Sequence, residues 1–393
     1  MNRAAWIGLV LCVGCSPEPE AVGQPATCLS PSVAPPADHP RAEALQHAID
    51  AAVQDGIPGV VVAISDPDGT WEGSAGMADL GRQTPMRTCH RTRIASVTKT
   101  FIAVAVLQLV DEGVVSLDDT VADWLPEVAD ALPNARQVTV RQLLDHTSGV
   151  YNFLDVQFVL DLFNRPTRTW TVQEGIDRAL GKDASFAPGT DWSYSNTNYL
   201  LLGRILEAAA GQPHATVLRD RLLDPLDLTD TTYAEDRFRF DGVVHGYFDL
   251  MGDHVLVDST DTYANSVVGA DGGMVSSARD LLVFGTALFA EGTLLSEALV
   301  AELQPTVETG YDDFPHYGLG VELWDEGGIQ AVGHGGHEFG YRTWLYHFEE
   351  SDLTFVLWMN ASSLQPTEDN IGAVVERHRR RVRDAALGLG ATE

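Results

Sequence analysis

Apolar positions recur at helical spacing over residues 42–54, and the pattern stops at Gly56. Two short strand patterns follow, Val60–Ser65 and Thr70–Gly76, joined by Asp66-Pro67-Asp68-Gly69, a sequence suited to a hairpin turn. Residues 97–112 read as a helix apolar on nearly every face and closed by Gly113; a helix without a polar face is a buried one. From there to about residue 300 helical patterns dominate, at 140–145, 154–163, 172–180, 197–209, 216–223 and 278–290. Strand patterns return at about 329–334, 340–348 and 353–360. Glu368–Leu387 closes the chain as an amphipathic helix, with Arg379, Arg380, Arg381 and Arg383 on its polar side. Strands at both ends with helices between predict an α/β (α+β) fold. Its antiparallel sheet is built from both chain ends and flanked by helices, with a mainly helical region of about 115–270 inserted. No internal repeat appears, and residues 41–388 read as one folded domain.

Composition adds two constraints. Fifty-six acidic side chains against 25 basic ones leave a formal charge of −31. So acidic a chain excludes a nucleic-acid partner or an anionic membrane surface, since phosphate contacts need clustered Lys and Arg. Only two basic residues are lysines, Lys99 and Lys182. Lys99 lies inside the apolar helix, where an amine, unlike a guanidinium, can lose its proton and serve as a base.

Residues 1–15, MNRAAWIGLVLCVGC, have a signal-peptide layout: one arginine, a short apolar run, then small residues. Gly14-Cys15-Ser16 predicts a lipoprotein signal with Cys15 lipidated, although Cys12 stands where such signals usually carry leucine; plain secretion is the alternative. The run is too short to span a bilayer as a helix. Residues 16–40, rich in Pro, Ala and Glu, read as an extended tether. The expectation is an exported protein of the cell envelope or periplasm, held by a lipid anchor. In that oxidising compartment Cys28 and Cys89 can pair.

The chemistry centres on Ser96-Val97-Thr98-Lys99, at the start of the buried helix. Positions i and i+3 share a helix face, so the Ser96 hydroxyl and the Lys99 amine can meet. Free amides of the first turn can donate to an oxyanion formed as Ser96 attacks a carbonyl. Burial lowers the lysine pKa and readies it to take the serine proton. Tyr194-Ser195-Asn196, after the turn Ala187-Pro188-Gly189-Thr190, presents a phenol and an amide from one loop: the phenol as a proton carrier, the amide as a holder for a substrate carbonyl. Gly333-His334-Gly335-Gly336-His337 enters a strand pattern, and glycines there admit close backbone approach. A metal on His334 and His337 is disfavoured, because i and i+3 of a strand point to opposite faces.

In order and spacing these motifs resemble the penicillin-recognising serine hydrolases, in particular the class C β-lactamase and serine D-Ala-D-Ala carboxypeptidase family. The resemblance spans residues 42–385 and includes Arg93–Phe101, Leu143–Gly149, Phe186–Thr190, Tyr194–Asn196, Gly272–Ser277 and the closing His-Gly-Gly. It implies an acyl-enzyme on Ser96, with Lys99 and Tyr194 handling the proton. It also implies an oxyanion site between the amides of Ser96 and His337, substrate orientation by Asn196, His334 and Gly336, and no metal or cofactor. Class C β-lactamases carry Lys-Thr-Gly where this chain has His334-Gly335-Gly336. That difference favours a D-alanyl-D-alanine carboxypeptidase-like enzyme, with a protonated His334, or alternatively Arg342, receiving the substrate carboxylate. The alternatives are an esterase or class C-like β-lactamase on the same scaffold, or a receptor domain that binds peptidoglycan or a β-lactam without turnover. The expected partner is a small substrate (a stem peptide, an ester or a β-lactam), and the expected state is a monomer. His146 reads as a packing and turn residue, His245 and His254 as surface residues, and residues 225–265 as a pocket wall.

Overall fold

A computed structural model of the chain describes residues 27–29, 38–165, 168, 170–233, 242–261, 269–304, 306–312, 314–364 and 370–389. The signal peptide, Cys15, most of the tether, and residues 234–241 and 262–265 of the expected pocket wall lie outside them. In chain order the strands are β1 (Gly59–Asp66), β2 (Gly69–Asp79), β3 (Thr84–Pro85), β4 (Arg91–Arg93), β5 (Thr232–Tyr233), β6 (Tyr247–Asp249), β7 (Leu256–Asp258) and β8 (Met274–Ser277). They continue as β9 (Val307–Glu308), β10 (His316–Tyr317), β11 (Glu322–Glu326), β12 (Ile329–Glu338), β13 (Tyr341–Phe348), β14 (Leu353–Met359) and β15 (Ala361–Ser363). The helices are α1 (Ala42–Gln54), α2 (Thr98–Asp111), α3 (Val121–Trp124), α4 (Val140–Leu144), α5 (Val156–Asn164), α6 (Val172–Ala179), α7 (Asn196–Ala210), α8 (His214–Leu218), α9 (Ala278–Gly285), α10 (Glu297–Leu303) and α11 (Ile371–Leu387).

Among the described residues, nine strands form an antiparallel sheet in the order β3-β2-β1-β14-β13-β12-β11-β10-β9. Val61 of β1 lies opposite Trp358 of β14, so the two chain ends meet at the sheet centre, as the terminal strand patterns predict. Both central strands are apolar along their length because both faces are covered. Val60, Val62, Ile64, Phe355 and Leu357 share one core with residues of α1 and α11. Val61, Ala63, Val356 and Trp358 share a larger core with α2, α9 and the helical region.

The buried helix is α2, which encloses Thr98 to Leu107 and Leu109. Phe101 stacks on Phe284 of α9 with ring centres 3.7 Å apart. The helix is one residue shorter at its start than its pattern predicts: Ala95–Val97 form a 3-10 turn, and α2 begins at Thr98. Ala95 takes a left-handed φ of +46°, a conformation that costs a non-glycine residue about 1 kcal/mol. Neighbouring backbone holds it there. The Ile94 amide donates to Met274 O at 3.1 Å, and the Met274 amide to Thr98 Oγ1 at 3.2 Å.

The 216–223 and 278–290 patterns each finish in a wider π turn, at Arg219–Leu223 and Thr286–Ala290. The 329–334 strand runs on through the glycines to Glu338. His254 is exposed. His245, expected at the surface, is buried. The β6–β7 hairpin carries Asp258, whose carboxylate lies 2.7 Å from His245 Nδ1, and Asp79 at the end of β2 lies 3.5 Å from Nε2. Cys28 is disulfide-bonded to Cys89, 61 residues along the chain.

Candidate active site

The 3-10 turn leaves Ser96 half-buried at the surface of the helical core, while Lys99 behind it is fully enclosed. The Lys99 ammonium donates to Ser96 Oγ at 3.1 Å, to Asn196 Oδ1 at 2.9 Å and to the main-chain carbonyl of Asp271. It also sits 4.9 Å from the Tyr194 ring centre. Burial pulls the Lys99 pKa down to about 8, with the Asp271 charge pulling the other way. Burial pushes the Tyr194 phenol well above its ordinary value, partly offset by a hydrogen bond with Ser96. Thus the four side chains singled out in the first two motifs converge on one point.

Local backbone explains how residues a hundred positions apart meet. The turn Asp145–Gly149 and the loop Ser185–Ser193 are laced together. The Ser185 amide donates to Gly149 O, the Gly189 amide to Thr147 O and the Ser193 amide to His146 O, at 2.8, 2.8 and 3.1 Å. Gly149 has a φ of +71°, and a Cβ there would lie 2.2 Å from Phe186 O, so only glycine allows this approach. His146, also left-handed at +66°, accepts at Nδ1 from the Ser195 main-chain amide and from Asn198 Nδ2. Its ring lies 4.3 Å from that of Tyr194. Burial holds this imidazole well below its ordinary pKa, so it packs as a neutral wall behind the tyrosine.

The third motif approaches from the sheet. Pairing between β11 and β12 stops at Gly333, and the remaining β12 edge lies against the Ser96 turn. A Cβ on Gly336 would lie 2.2 Å from Ile94 O, which is why the position needs glycine. The Gly335 amide points to the β11 side, donating to Glu322 Oε1 at 2.9 Å. Amides two residues apart on a strand point the same way. The His337 amide therefore faces the open edge beside Ser96, while the His337 side chain is exposed and that of His334 is buried.

A model of the beta-lactamase family matches residues 44–378. The chain belongs to the beta-lactamase family. It is similar to penicillin-binding protein 4 of Amycolatopsis lactamdurans, 31% identical over 317 residues that cover 77% of this chain and 81% of the relative. It is also similar to the D-aminopeptidase of Brucella anthropi, 27% identical over 77% of this chain but only 56% of the relative. Its structure superposes on the D-amino acid amidase from Ochrobactrum anthropi SV3 with a TM-score of 0.79 and 31% identity, covering 88% of this chain and 99% of that one. This member of the family has the β-lactamase/transpeptidase-like fold and is a serine hydrolase.

Within the family frame, two expectations about charge are corrected. His334 is buried, and its Nδ1 lies 2.6 Å from Gly335 O, an acceptor, so Nδ1 carries the proton. Nε2 then accepts from the Tyr317 hydroxyl at 2.8 Å. Burial and the Lys99 ammonium bring the His334 pKa down to about 3. It is a neutral imidazole, not a cation for a substrate carboxylate. Arg342 is not free either: its guanidinium pairs with Glu376 at 2.5 Å and packs 5.1 Å from the Trp344 ring centre.

Sequence reasoning missed several neighbours of the site. Asn152 Oδ1 accepts from the Asn196 main-chain amide at 3.1 Å and so fixes the start of α7. Tyr317 sits on a strand of two residues, too short to show a period. Asp271 is a lone acid in the small-residue run Gly269–Gly273, and that contrast was the one signal available.

Proposed function

We propose that this protein hydrolyses short amides of D-amino acids through an acyl-enzyme on Ser96. Ser96 Oγ attacks the amide carbonyl, and Lys99 takes its proton. The Ser96 and His337 amides receive the oxyanion. As the C–N bond breaks, Tyr194 gives its proton to the departing amine and regains one from Lys99. Water then adds to the ester by the same route in reverse and frees the acid. The assignment of the base follows from magnitudes. A lysine near 8 has about a tenth of its population neutral at pH 7, whereas a phenol pushed above 10 keeps its proton and serves as donor.

The observation that carries the substrate reading is the commitment of the cations that the described residues bring to the site. Lys99 is enclosed, His334 is neutral, Arg342 pairs with Glu376, and Arg93 pairs with Glu338 at 3.0 Å. A D-Ala-D-Ala carboxypeptidase must receive a terminal carboxylate, and a desolvated carboxylate without a cation is costly. An amide without that carboxylate has no such need. The similarity to a D-amino acid amidase and a D-aminopeptidase supports the same reading.

The deciding experiment compares D-alaninamide with a peptide ending in D-Ala-D-Ala, using wild type and Ser96→Ala. Faster, Ser96-dependent hydrolysis of the amide is expected. Preferential release of the terminal D-Ala would return the protein to the carboxypeptidases. We further propose export and lipidation at Cys15, on the layout of residues 1–16. Alkyne fatty-acid labelling lost in Cys15→Ser would support this, and unlabelled wild type would contradict it.

A further inference from the structure

Lys99 is buried with one acidic neighbour that the mechanism above leaves idle. Asp271 is 3% exposed, and the loop around it is tight, with the Gly272 and Gly273 amides both donating to Gly269 O at 3.1 and 2.9 Å. The loop presents the Asp271 main-chain carbonyl to the Lys99 ammonium. The carboxyl group of the same residue is also buried, and it acts on Lys99 through its charge and not through an ion-pair contact. Its Oδ1 has no hydrogen-bond partner among the described residues, and main-chain amides of Asp271 and Gly269 bond the group. A buried carboxylate with so few donors needs an opposite charge nearby, and Lys99 supplies it.

We propose that Asp271 is a positioning residue for Lys99, a second buried charge that fixes the ammonium beside Ser96 and governs the pH at which it can act as base. This rests on the reading of Lys99 as base. The surrounding groups leave the pairing unrivalled. From β12, Glu338 acts on Asp271 as a like charge, but it is itself paired with Arg93. Around Lys99 lie the rings of Tyr194 and Tyr199, at 4.9 and 5.5 Å. His146 and His334 also feel its charge, and both are neutral. When Ser96 attacks, its proton passes first to Lys99, and the Asp271 carboxylate stabilises the ammonium so formed until Tyr194 is reprotonated from it. The two groups raise and lower one another's proton affinity as a pair.

The sign of the effect follows. A neighbouring carboxylate favours the charged lysine, so removing it lowers the lysine pKa. The base form then appears at lower pH but is a weaker base. The test uses Asp271→Asn and Asp271→Ala, each checked for folding by thermal melt. It reads the rate of fluorophosphonate labelling of Ser96 against pH, together with kcat/KM and KM for an ester substrate. Both variants are expected to shift the acid limb down by about one pH unit, with lower plateau rates and an unchanged KM. A merely structural role predicts instead that the isosteric Asn behaves as wild type and Ala loses rate with no shift. An unmoved limb in either folded variant overturns the proposal. Lys99→Ala separates the two claims: if it still labels at the wild-type rate, the base assignment fails, whatever Asp271 does.

Discussion

Gly336→Ala probes whether the β12 edge is what holds the nucleophile turn in place. The added Cβ would lie 2.2 Å from Ile94 O and 3.4 Å from Ala95 Cβ. Ile94 O is main chain and cannot rotate away, so strand and turn must separate by about 1 Å to reach ordinary contact. Overpacking of that kind costs about 1–3 kcal/mol of stability. A shift of about 1 Å between a nucleophile and its oxyanion donors lowers the rate about 100-fold. Gly335→Ala is the internal comparison, because the nearest atoms its Cβ would meet are all on side chains: the Glu322 carboxylate at 3.3 Å, the Tyr346 hydroxyl at 3.4 Å and Trp344 Cδ1 at 3.7 Å. Both variants are assayed for kcat/KM with an ester substrate and for melting temperature. The larger loss belongs to Gly336→Ala and falls on kcat. A folded Gly336→Ala enzyme with wild-type kcat/KM would show that the close approach does not position Ser96.

Other expectations follow from the same geometry. Activity of the wild type should climb with pH through the Lys99 value near 8, since the neutral amine is the active form; a kcat/KM profile flat from pH 6 to 9 would contradict it. Phe101→Ala, which empties a fully buried site stacked on Phe284, should lower stability by about 3–5 kcal/mol in a denaturant titration, and a loss under about 1 kcal/mol would mean the helix is not packed as described. Opening the Cys28–Cys89 bridge by Cys89→Ser should cost at most about 4 kcal/mol, because it releases a loop of 61 residues; an unchanged melting temperature would show that the bridge constrains only the tether.

Much of this architecture was legible because it is written locally. The hydrophobic runs of β1 and β14 identify strands covered on both faces, and the unbroken apolar surface of α2 marks the helix that carries the site. Ser96, Lys99, Tyr194 and Asn196 could be assembled because each lies in a contiguous motif. The two-residue strands β3, β9 and β10 were not legible, since two residues carry no period. The charge of His334 was hidden for a different reason: it depends on burial and on the Lys99 ammonium brought near it from another motif, neither of which its own motif records. His245 was misplaced likewise, because Asp79 and Asp258 reach it only after the β6–β7 hairpin has folded over β2.

Acylation of Ser96 underlies every step proposed for this enzyme, and intact-protein mass after fluorophosphonate treatment reads it out. A single adduct is expected, placed on Ser96 by peptide mapping and absent from Ser96→Ala. An adduct that persists in the Ser96→Ala protein, or a folded wild type that forms none, would contradict it.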